Sequence, residues 1–522
     1  MQRKLEIDIH PSEINNHYLL KELVAQLMGL EMQRITGIEI IKRSVDARKR
    51  NPVFHLQLLA FIDEEMVSRN IAVPIAGKLK PGSEVFVIGS GPAGMFAAIE
   101  LLKQGIKPIV IERGKDVRSR RRDLALINRN QGVNENSNYC FGEGGAGTYS
   151  DGKLYTRSSK RGNVQQVLET LVHFGADKDI LVDAHPHIGT NRLPKIIEAM
   201  RNWILENGGE IHFETLLTDV KVVDGKLKSI KTKTQSGDQE FACEKMILAT
   251  GHSGRNIYEL LNQKNILLEY KPFAVGVRVE HSQELIDEMQ YHCHGQQLYE
   301  ARNFLPAASY SWVQQCSDRA AYSFCMCPGG IIAPCATANG EVVTNGWSPS
   351  KRNNPFANSG IIAEVKESDL LPFEEHGALR GLRFQQMIEQ LAQKQANEGI
   401  IAPAQRLQDF TENKLSDTLT DCSYQPGVVS NNLNEWLPKG IGNALREAFI
   451  EQGKKMKGYL TNDAIIVGFE SRSSSPVRIL RDKSYQHPEV KGLFPCGEGA
   501  GYAGGIVSAA MDGINCANAV AI

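Results

Sequence analysis

The sequence predicts an α/β fold in which a parallel nucleotide-binding sheet is interrupted by a large insertion. Two glycine-rich stretches at opposite ends of the 522 residues carry this prediction, at 85–94 (VFVIGSGPAG) and at 492–506 (GLFPCGEGAGYAGGI). Turns of this kind bring the backbone close to a phosphate where a strand of such a sheet meets its helix. We interpret the two stretches as halves of one dinucleotide site, so the chain between them contains an inserted domain.

The first stretch has the order of strand, tight turn and helix that the G-x-G-x-x-G fingerprint requires. Four apolar residues run into Gly89, Gly91 and Gly94, and an apolar helical pattern follows. Gly89 permits the turn, Gly91 lets the backbone approach a pyrophosphate, and Gly94 lets the helix pack close to the strand. The helix starts at Pro92 and Ala93, so its free amides face the anion.

A second strand over residues 108–111 ends at Glu112, about 20 residues beyond the first turn. An acidic side chain at this position accepts hydrogen bonds from the ribose hydroxyls of an adenosine. Glu112 therefore argues against a 2′-phosphate there. Arg113 follows directly and is a further candidate for the same site.

Hydrophobic periodicity divides the chain into three predicted units. Residues 1–80 are expected to form a small α+β domain, with strands or helices at 4–9, 19–28, 38–41 and 53–62. Residues 81–270 and 461–522 should form a Rossmann-like domain, and residues 271–460 an inserted α+β substrate domain. Within the insertion, strands are expected at 273–279 and 321–325 and a helix at 382–395.

A glycine-rich loop follows the second strand, at residues 140–153 (CFGEGGAGTYSDGK). Either this loop is mobile or a ligand lies against its backbone. Its place on the nucleotide-binding side of the sheet favours a ligand, with Gly144, Gly145 and Ala146 as candidate contacts. Beyond it the pattern predicts helices at 164–174 and 194–206 and strands at 211–217, 220–223, 227–232 and 245–249.

Charge and composition exclude some functions. The net charge of −1 offers no general attraction for nucleic acid or an anionic membrane. Residues 42–50 contain five basic side chains, and this run is either a solvated hairpin end or a patch for RNA or another polyanion. Because no aromatic residue interleaves with it, nucleic acid is not expected as a partner. The ten scattered cysteines and the lack of a membrane-spanning apolar run predict a reduced, cytoplasmic protein.

Six segments carry a resemblance to a known family. The chain resembles flavoproteins of the glutathione-reductase-like superfamily. It is most similar to the bacterial proteins labelled FAD-dependent or "NAD(FAD)-utilizing" dehydrogenases, which have relatives in plant plastids. The matching segments are GSGPAG at 89–94, FGEGGAG at 141–147, PHIGT at 186–190, FCMCPGG at 324–330, ESRSSSPVRI at 470–479 and CGEGAGYAGG at 496–505.

The resemblance implies FAD as cofactor and assigns roles along the chain. Residues 89–94 would hold the pyrophosphate and Glu112 the adenosine ribose. The backbone of Leu217 would bind adenine, and the chain would leave the nucleotide domain at Thr250 and Gly251. The C-terminal contacts would come from Gly497, Glu498, Gly504, Gly505 and Ile506. The last three would place a helix N-terminus beside the flavin pyrimidine ring, where reduction puts negative charge.

The residues offer four candidates for catalysis. Cys325 and Cys327 would face the same side of a strand, as a redox pair or as simple packing, although an extended strand makes a poor disulfide between them. Arg478, after a run of three serines, could bind an anionic group of a substrate or only tie domains together. His187 is expected to face the active-site cleft, and no metal site is predicted, because the pair with His185 lacks a third ligand.

Two absences within the sequence bear on the electron donor. Outside the glycine-rich segments already described, no G-x-G-x-x-G follows a strand, and no C-x-x-x-x-C redox pair is present. A separate NAD(P)H domain is therefore not predicted, which leaves transient docking of NAD(P)H. The leading hypothesis is an FAD-dependent oxidoreductase, a dehydrogenase that moves hydride between a small-molecule substrate and flavin N5. In the alternative, FAD is structural or sensing and residues 1–80 bind RNA or a protein partner.

Overall fold

The computed structural model describes residues 1–49, 51–67, 70–156 and 158–522, and its N-terminal part is a small α+β unit. Three antiparallel strands and one helix make up this unit, β1 (Gln2–Ile9), α1 (His17–Met28), β2 (Ile35–Asp46) and β3 (Val53–Ile62). The strand order is β1-β3-β2. All four elements match predicted ones, and β2 is longer at both ends because it pairs with β3 along its length.

The nucleotide-binding region follows in chain order. Its helices and strands are β4 (Glu84–Ile88), α2 (Pro92–Lys103), β5 (Lys107–Ile111), α3 (Val117–Asn128), α4 (Val164–His173), α5 (Leu193–Glu206), β6 (Glu210–His212), β7 (Leu216–Val223), β8 (Lys226–Thr234), β9 (Gly237–Ala242) and β10 (Met246–Leu248). The helix α3 begins within a basic segment at 113–122 (RGKDVRSRRR) and was not predicted from the sequence.

One predicted strand, over residues 211–217, is wrong. The chain leaves the ladder after β6 at His212 and re-enters a different sheet at β7. Between them Glu214 has a φ of 51° and donates its backbone N–H to the Gly114 carbonyl. The adjacent Thr215 donates its N–H to the Glu112 carbonyl, so this turn is held against the end of β5. β7, β8 and β9 then form a separate antiparallel sheet.

Most of the remaining elements follow β10, and those between residues 271 and 470 form the inserted region. In chain order these are α6 (Arg255–Gln263), β11 (Leu268–Tyr270), β12 (Ala274–Ser282), α7 (Gln283–Tyr291), α8 (Gln296–Ala301), β13 (Val313–Gln315), β14 (Ala320–Cys327), β15 (Ile331–Pro334), β16 (Thr344–Trp347), β17 (Phe356–Glu364), α9 (Glu367–Leu370), α10 (Arg380–Ala396), β18 (Ala402–Arg406), α11 (Leu407–Thr411), β19 (Val428–Ser430), α12 (Lys439–Lys455), β20 (Ile465–Glu470) and β21 (Val477–Ile479). The chain ends with β22 (Leu493–Pro495) and α13 (Ile506–Val520).

Two large sheets organise these elements. A five-stranded parallel sheet has the order β22-β10-β4-β5-β6, so the last strand of the chain completes the sheet that β4 began. A seven-stranded sheet has the order β13-β14-β17-β12-β20-β18-β19. Since β20 pairs with β12 and β18, strand pairing supports an end of the inserted domain after Glu470 rather than at residue 460.

The packing of the units positions the cleft described below. The N-terminal sheet and the seven-stranded sheet share one hydrophobic core, which contains Leu56 and Leu58 of β3 and Val277 of β12. Arg43 of β2 also contacts the nucleotide-binding region, with Nε 2.8 Å from Oδ1 of Asp183. Within the part of the chain that is described, no helix has the length and apolar character needed to cross a membrane.

Candidate cofactor site and active site

A cleft opens at the carboxyl ends of the parallel strands β4, β5, β10 and β22. Both glycine-rich stretches line it, although they lie about 400 residues apart in the sequence. Fourteen of the predicted cofactor residues line this cleft: Gly89, Gly91, Pro92, Ala93, Glu112, Arg113, Gly145, Ala146, Leu217, Thr250, Gly251, Glu498, Gly505 and Ile506. The candidate Cys325 lines it as well.

Two helix N-termini face this cleft without a side-chain cap. Gly91 is the N-cap of α2 and Gly505 is the N-cap of α13, and neither cap makes a side-chain hydrogen bond. The first amides of each helix therefore remain free for an anion, and the helix dipoles favour negative charge at both places. A dinucleotide cofactor, with a pyrophosphate in its middle and a reducible ring at one end, matches two such termini.

The backbone beside these helices has room for a ligand. A Cβ on Gly91 would have only the Gly145 Cα within 4 Å, at 3.8 Å, and a Cβ on Gly251 or Gly505 would meet nothing within 4 Å. Glycine at these three positions is therefore not required by neighbouring protein atoms. The open space fits the close approach of a dinucleotide to the backbone.

The other predicted glycines serve the fold beside the cleft and do not line it. A Cβ on Gly94 would lie 1.9 Å from the Gly89 carbonyl oxygen, so this position lets α2 approach the turn. The amide of Gly144 donates to the Ser90 carbonyl at 2.9 Å, and that of Gly497 donates to Oδ2 of Asp512 at 2.7 Å. Gly504 donates its amide to the Ser508 hydroxyl.

Glu112 is held by protein donors at both carboxylate oxygens. Oε1 accepts from the amides of Gly114 and Gly142, at 2.9 and 3.0 Å. Oε2 accepts from the amide and the hydroxyl of Ser90, at 2.9 and 2.8 Å. A ribose hydroxyl that binds Glu112 therefore competes with the Ser90 hydroxyl, the one donor of the four that can rotate away.

Arg113 is a mostly buried cation, and no carboxylate among the described residues lies within hydrogen-bond distance of it. Its guanidinium lies 4.1 Å from the ring centroid of Phe141 and donates to the side chains of Asn136 and Asn256. Burial lowers the pKa of Arg113. The group adds positive charge to the end of the cleft where Glu112 lies.

A cluster of four buried charges lies behind the opposite wall of the cleft. Arg472 lines the cleft, and its Nη2 is 3.0 Å from Oε2 of Glu389 and 3.1 Å from Oε2 of Glu341. Arg255 of α6 contacts the same two carboxylates at 2.5 and 2.7 Å. The pKa of Glu389 falls to about 2, because the two arginines outweigh the effect of its burial. The cluster ties the inserted region to the nucleotide-binding region.

The four catalytic candidates lie in different places. Cys325 lines the cleft, and Cys327 is fully buried beneath it. The prediction that His187 faces the cleft is not matched: its Nε2 lies 3.1 Å from the Ser350 carbonyl oxygen, and burial lowers its pKa to about 4. Arg478 also lies outside the cleft lining, 3.7 Å from Glu269.

Sequence reasoning missed several residues that line the cleft. Arg472 belongs to the segment at 470–479. The sequence instead predicts Arg478, which follows the serine run, as the candidate in this segment. His252 and Asn345 had no motif to mark them, and His252 Nδ1 lies 3.6 Å from Glu498 Oε2. Their positions depend on the pairing of distant strands. Other lining residues that were not predicted include Cys140, Phe141, Ser150, Thr215, Leu216, Ser253, Asn256, Phe324 and Ser473.

The basic run at 42–50 is partly neutralised within the protein, and its last residue, Arg50, lies outside the described residues. Arg43 pairs with Asp179 and Asp183 of the nucleotide-binding region. Arg48 pairs with Asp46. Two of its cations are thus committed to intramolecular ion pairs, which reduces what the run offers to a polyanion.

Comparison with known proteins bears on the identity of the cofactor. A protein of Clostridium beijerinckii, named only as uncharacterized, is 39% identical over 521 residues, covering 96% of this chain and 95% of the relative. Residues 272–473 match the model "FAD-dependent protein, C-terminal domain-like", and residues 82–251 match the model "FAD binding domain". The chain belongs to a family of FAD-dependent proteins. Residues 1–61 of this FAD-dependent protein match a domain of unknown function.

This membership confirms the predicted family, the α/β fold class and FAD as the cofactor. The match to an FAD-binding domain covers β4, α2, β5 and β10 of the cleft but not β22 and α13, and the C-terminal model covers the seven-stranded sheet. The flavoprotein thus combines an FAD-binding domain with an additional domain inserted before its last strand and helix.

Likeness to solved structures is low. The flavin-dependent halogenase CmlS is 13% identical, with a TM-score of 0.32, and the match covers 82% of this chain and 56% of CmlS. The flavin-dependent brominase Bmp2 is 13% identical with a TM-score of 0.37, covering 84% and 78% of the two chains. A geranylgeranyl bacteriochlorophyll reductase-like protein of Thermoplasma acidophilum is 12% identical with a TM-score of 0.35, covering 83% and 77%. These values carry no argument about the reaction.

Proposed function

We propose that this flavoprotein is an oxidoreductase, a dehydrogenase whose small-molecule substrate exchanges hydride with FAD. The observation that carries the proposal is the continuity of the FAD cleft with a second cavity at the inserted domain. The two share six lining residues, Cys140, Ala146, Ser150, His252, Asn345 and Arg472. A cofactor with a purely structural role needs no such adjoining chamber. When bound, FAD supplies a ring that accepts or donates hydride at N5.

The second cavity, called the substrate chamber below, has a mixed lining. Tyr139, Tyr149 and Trp347 supply aromatic walls, and the Thr344 side chain supplies a polar atom. Thr344 Oγ1 is buried and has no hydrogen-bond partner among the described residues. Because buried polar atoms are normally paired, this hydroxyl is available to a substrate. With a volume of about 30 Å³, the chamber suits one polar group at the edge of a small molecule that extends into it from the cleft.

The chain's own residues would bind and orient both molecules. The free amides of α2 and α13 receive the cofactor's anionic groups, and the loop around Gly145 and Ala146 lies between the two cavities. Arg472 stays charged because its two carboxylate partners raise its pKa. It faces both cavities as part of a neutralised cluster, so it can orient a polar substrate without adding net positive charge.

The visible absorption spectrum of the purified protein tests the proposal first. We expect flavin absorption that is released on denaturation, and a tenfold or larger loss of FAD affinity in Gly91→Ala, about 1.4 kcal/mol. The control is Gly442→Ala in α12, which does not line the cleft and where the new Cβ meets Leu437 at an ordinary 3.5 Å. A colourless protein that FAD does not reconstitute would sink the proposal.

Anaerobic mixing with NADH and with NADPH then addresses the electron donor. We expect at least one of them to bleach the flavin by transient docking. Thr344→Val should leave FAD binding intact and weaken binding of a reducing or oxidising substrate found by screening. If no nicotinamide and no screened substrate changes the flavin spectrum, the oxidoreductase assignment fails while FAD binding stands.

A further inference from the structure

The ammonium group of Lys153 lies beside the sulfur atoms of both Cys325 and Cys327. Its Nζ is 3.7 Å from the Cys325 Sγ and 3.8 Å from the Cys327 Sγ. Lys153 also donates to the carbonyl oxygen of Met326, between the two cysteines, and lies 3.4 Å from Oδ2 of Asp151. One cation at the end of the glycine-rich loop is therefore in contact with the sulfur atoms of two cysteines of β14.

The backbone at this place departs from a regular strand. Cys325 has a φ of 47°, in the left-handed region that residues other than glycine rarely adopt. The pairing of β14 with β17 shifts register between Phe324 and Cys327. The extended geometry that made a disulfide between these residues unfavourable is therefore absent. Backbone strain of this kind concentrates at functional sites.

The two thiols differ in electrostatic environment. A hydrogen bond from the Cys327 thiol lowers the pKa of Cys325 well below its usual range, and the charges of Lys153 and Arg278 act the same way against burial. The same hydrogen bond and burial raise the pKa of Cys327. The charged or titratable groups that act on Cys325 are Lys153, Arg278, Asp151, Glu470 and Cys327.

Access to the two sulfurs also differs. Cys325 is partly exposed and lines the FAD cleft, whereas Cys327 has no exposed surface. A small molecule that enters the cleft therefore meets Cys325 first. Cys327 can react only with a group already attached to its neighbour.

We propose that Cys325 and Cys327 form a thiol–disulfide redox centre, with Cys325 as attacking thiolate, Cys327 as resolving thiol, and a small-molecule disulfide as co-substrate. The Cys325 thiolate attacks one sulfur of the disulfide R–S–S–R, forms a mixed disulfide and releases R–S⁻. The Cys327 sulfur then attacks Cys325, displaces the second R–S⁻ and loses its proton. The cysteine pair is oxidised by two electrons and the small disulfide becomes two thiols. This proposal goes beyond the proposed function and does not depend on it.

Mass spectrometry of the FAD-loaded protein tests the pair directly. The protein is treated with bis(2-hydroxyethyl) disulfide, unfolded in N-ethylmaleimide and digested. We expect a peptide with a Cys325–Cys327 disulfide in the natural protein and a mixed disulfide on Cys325 in Cys327→Ser. In Cys325→Ser, Cys327 should remain a free thiol. The proposal is overturned if Cys325 is recovered as a free thiol, or if Cys327 reacts equally well without it.

The role of Lys153 has its own readout in the pH profile of the reaction. We expect Lys153→Met to slow mixed-disulfide formation at Cys325 by about tenfold at pH 6, because it removes an adjacent positive charge, and Lys153→Arg to restore most of the rate. Cys316, whose pKa burial raises to about 11, is the internal reference thiol in every sample. If Lys153→Met folds and binds FAD but the pH profile of mixed-disulfide formation is unchanged, Lys153 does not position the Cys325 thiolate. Because neither readout requires turnover of a substrate by the flavin, failure here is distinguishable from failure of the proposed dehydrogenase.

Discussion

Gly513 of α13 packs directly on Ala93 of α2: a Cβ built on Gly513 would lie 2.0 Å from the Ala93 carbonyl oxygen. This contact joins helices from the two ends of the chain. It brings the N-terminus of α13 at Gly505 to the same cleft as the N-terminus of α2 at Gly91. The FAD site therefore depends on a close helix crossing that only glycine permits.

Replacing that glycine separates the two helices. We expect Gly513→Ala to reduce FAD affinity by at least tenfold and to lower the denaturation midpoint, because the methyl group has to displace backbone. Gly442→Ala in α12 is the control, since it gains the same helix propensity, about 1 kcal/mol, without the clash. Fluorescence titration with FAD and urea unfolding measure both effects. If the two variants have equal FAD affinity and equal urea midpoints, the close contact between α2 and α13 does not require glycine.

The charge at the N-terminus of α13 should tune the flavin. Gly505→Asp and Gly505→Asn both add a helix-capping side chain at a position where a Cβ meets nothing within 4 Å, and they differ only in charge. We expect the Asp variant to have a midpoint potential about 30 mV below that of the Asn variant, which corresponds to about 1.4 kcal/mol for two electrons. Spectroscopic redox titration checks this. Identical potentials would place the reduced ring's charge away from α13.

The buried charge cluster should be sensitive to the loss of one member. Glu389 has no exposed surface, and Glu389→Gln leaves Arg255 and Arg472 with the single carboxylate of Glu341. We expect a loss of about 3–5 kcal/mol in unfolding free energy, measured by urea denaturation. Glu451→Gln, which breaks a surface pair with Lys454, should cost less than about 1 kcal/mol. Similar losses in both variants would argue against the cluster as an interdomain tie.

Glu280 of β12 predicts a pH dependence of stability. Burial raises the pKa of Glu280 to about 7, although Ser423 donates hydrogen bonds to both of its oxygens. Because the folded pKa exceeds the unfolded value of about 4.3, this group's contribution is fully present below pH 4.3 and is lost as the pH rises through 7. The loss is about 3 kcal/mol between pH 4.3 and 8. Glu280→Gln should flatten the profile by about 2.5 kcal/mol between pH 5 and pH 8 in urea unfolding, and an unchanged slope would contradict it.

Local sequence patterns were sufficient to predict most strands and helices of the nucleotide-binding region. The run of four apolar residues before Gly89 and the proline after Gly91 predicted β4 and α2, and Glu112 lies at the end of β5 as expected. The strand predicted at 211–217 failed because Glu214 and Thr215 bond to residues near the end of β5, and no local pattern records those partners.

The candidate active site also contains residues that local patterns predicted and residues that only long-range contacts bring together. Arg472, His252 and Asn345 line the cleft because distant segments meet there, whereas Arg478, which has the more prominent sequence context, lies outside the lining. The alternation rule placed Cys325 and Cys327 on one face of a strand. The left-handed backbone at Cys325 and the approach of Lys153 determine how those thiols interact.

The sequence by itself determined the cofactor class, because the spacing of glycines, apolar strands and an acidic strand end is a local requirement of dinucleotide binding. It also determined that the site has two halves with a domain between them. Only the tertiary structure decided what surrounds the cleft: the chamber of Tyr139 and Thr344, the ion cluster of Arg472 and the lysine beside two thiols. Those groupings arise from contacts between residues far apart in the chain, and the energetics of such contacts depend on distance and burial rather than on sequence order.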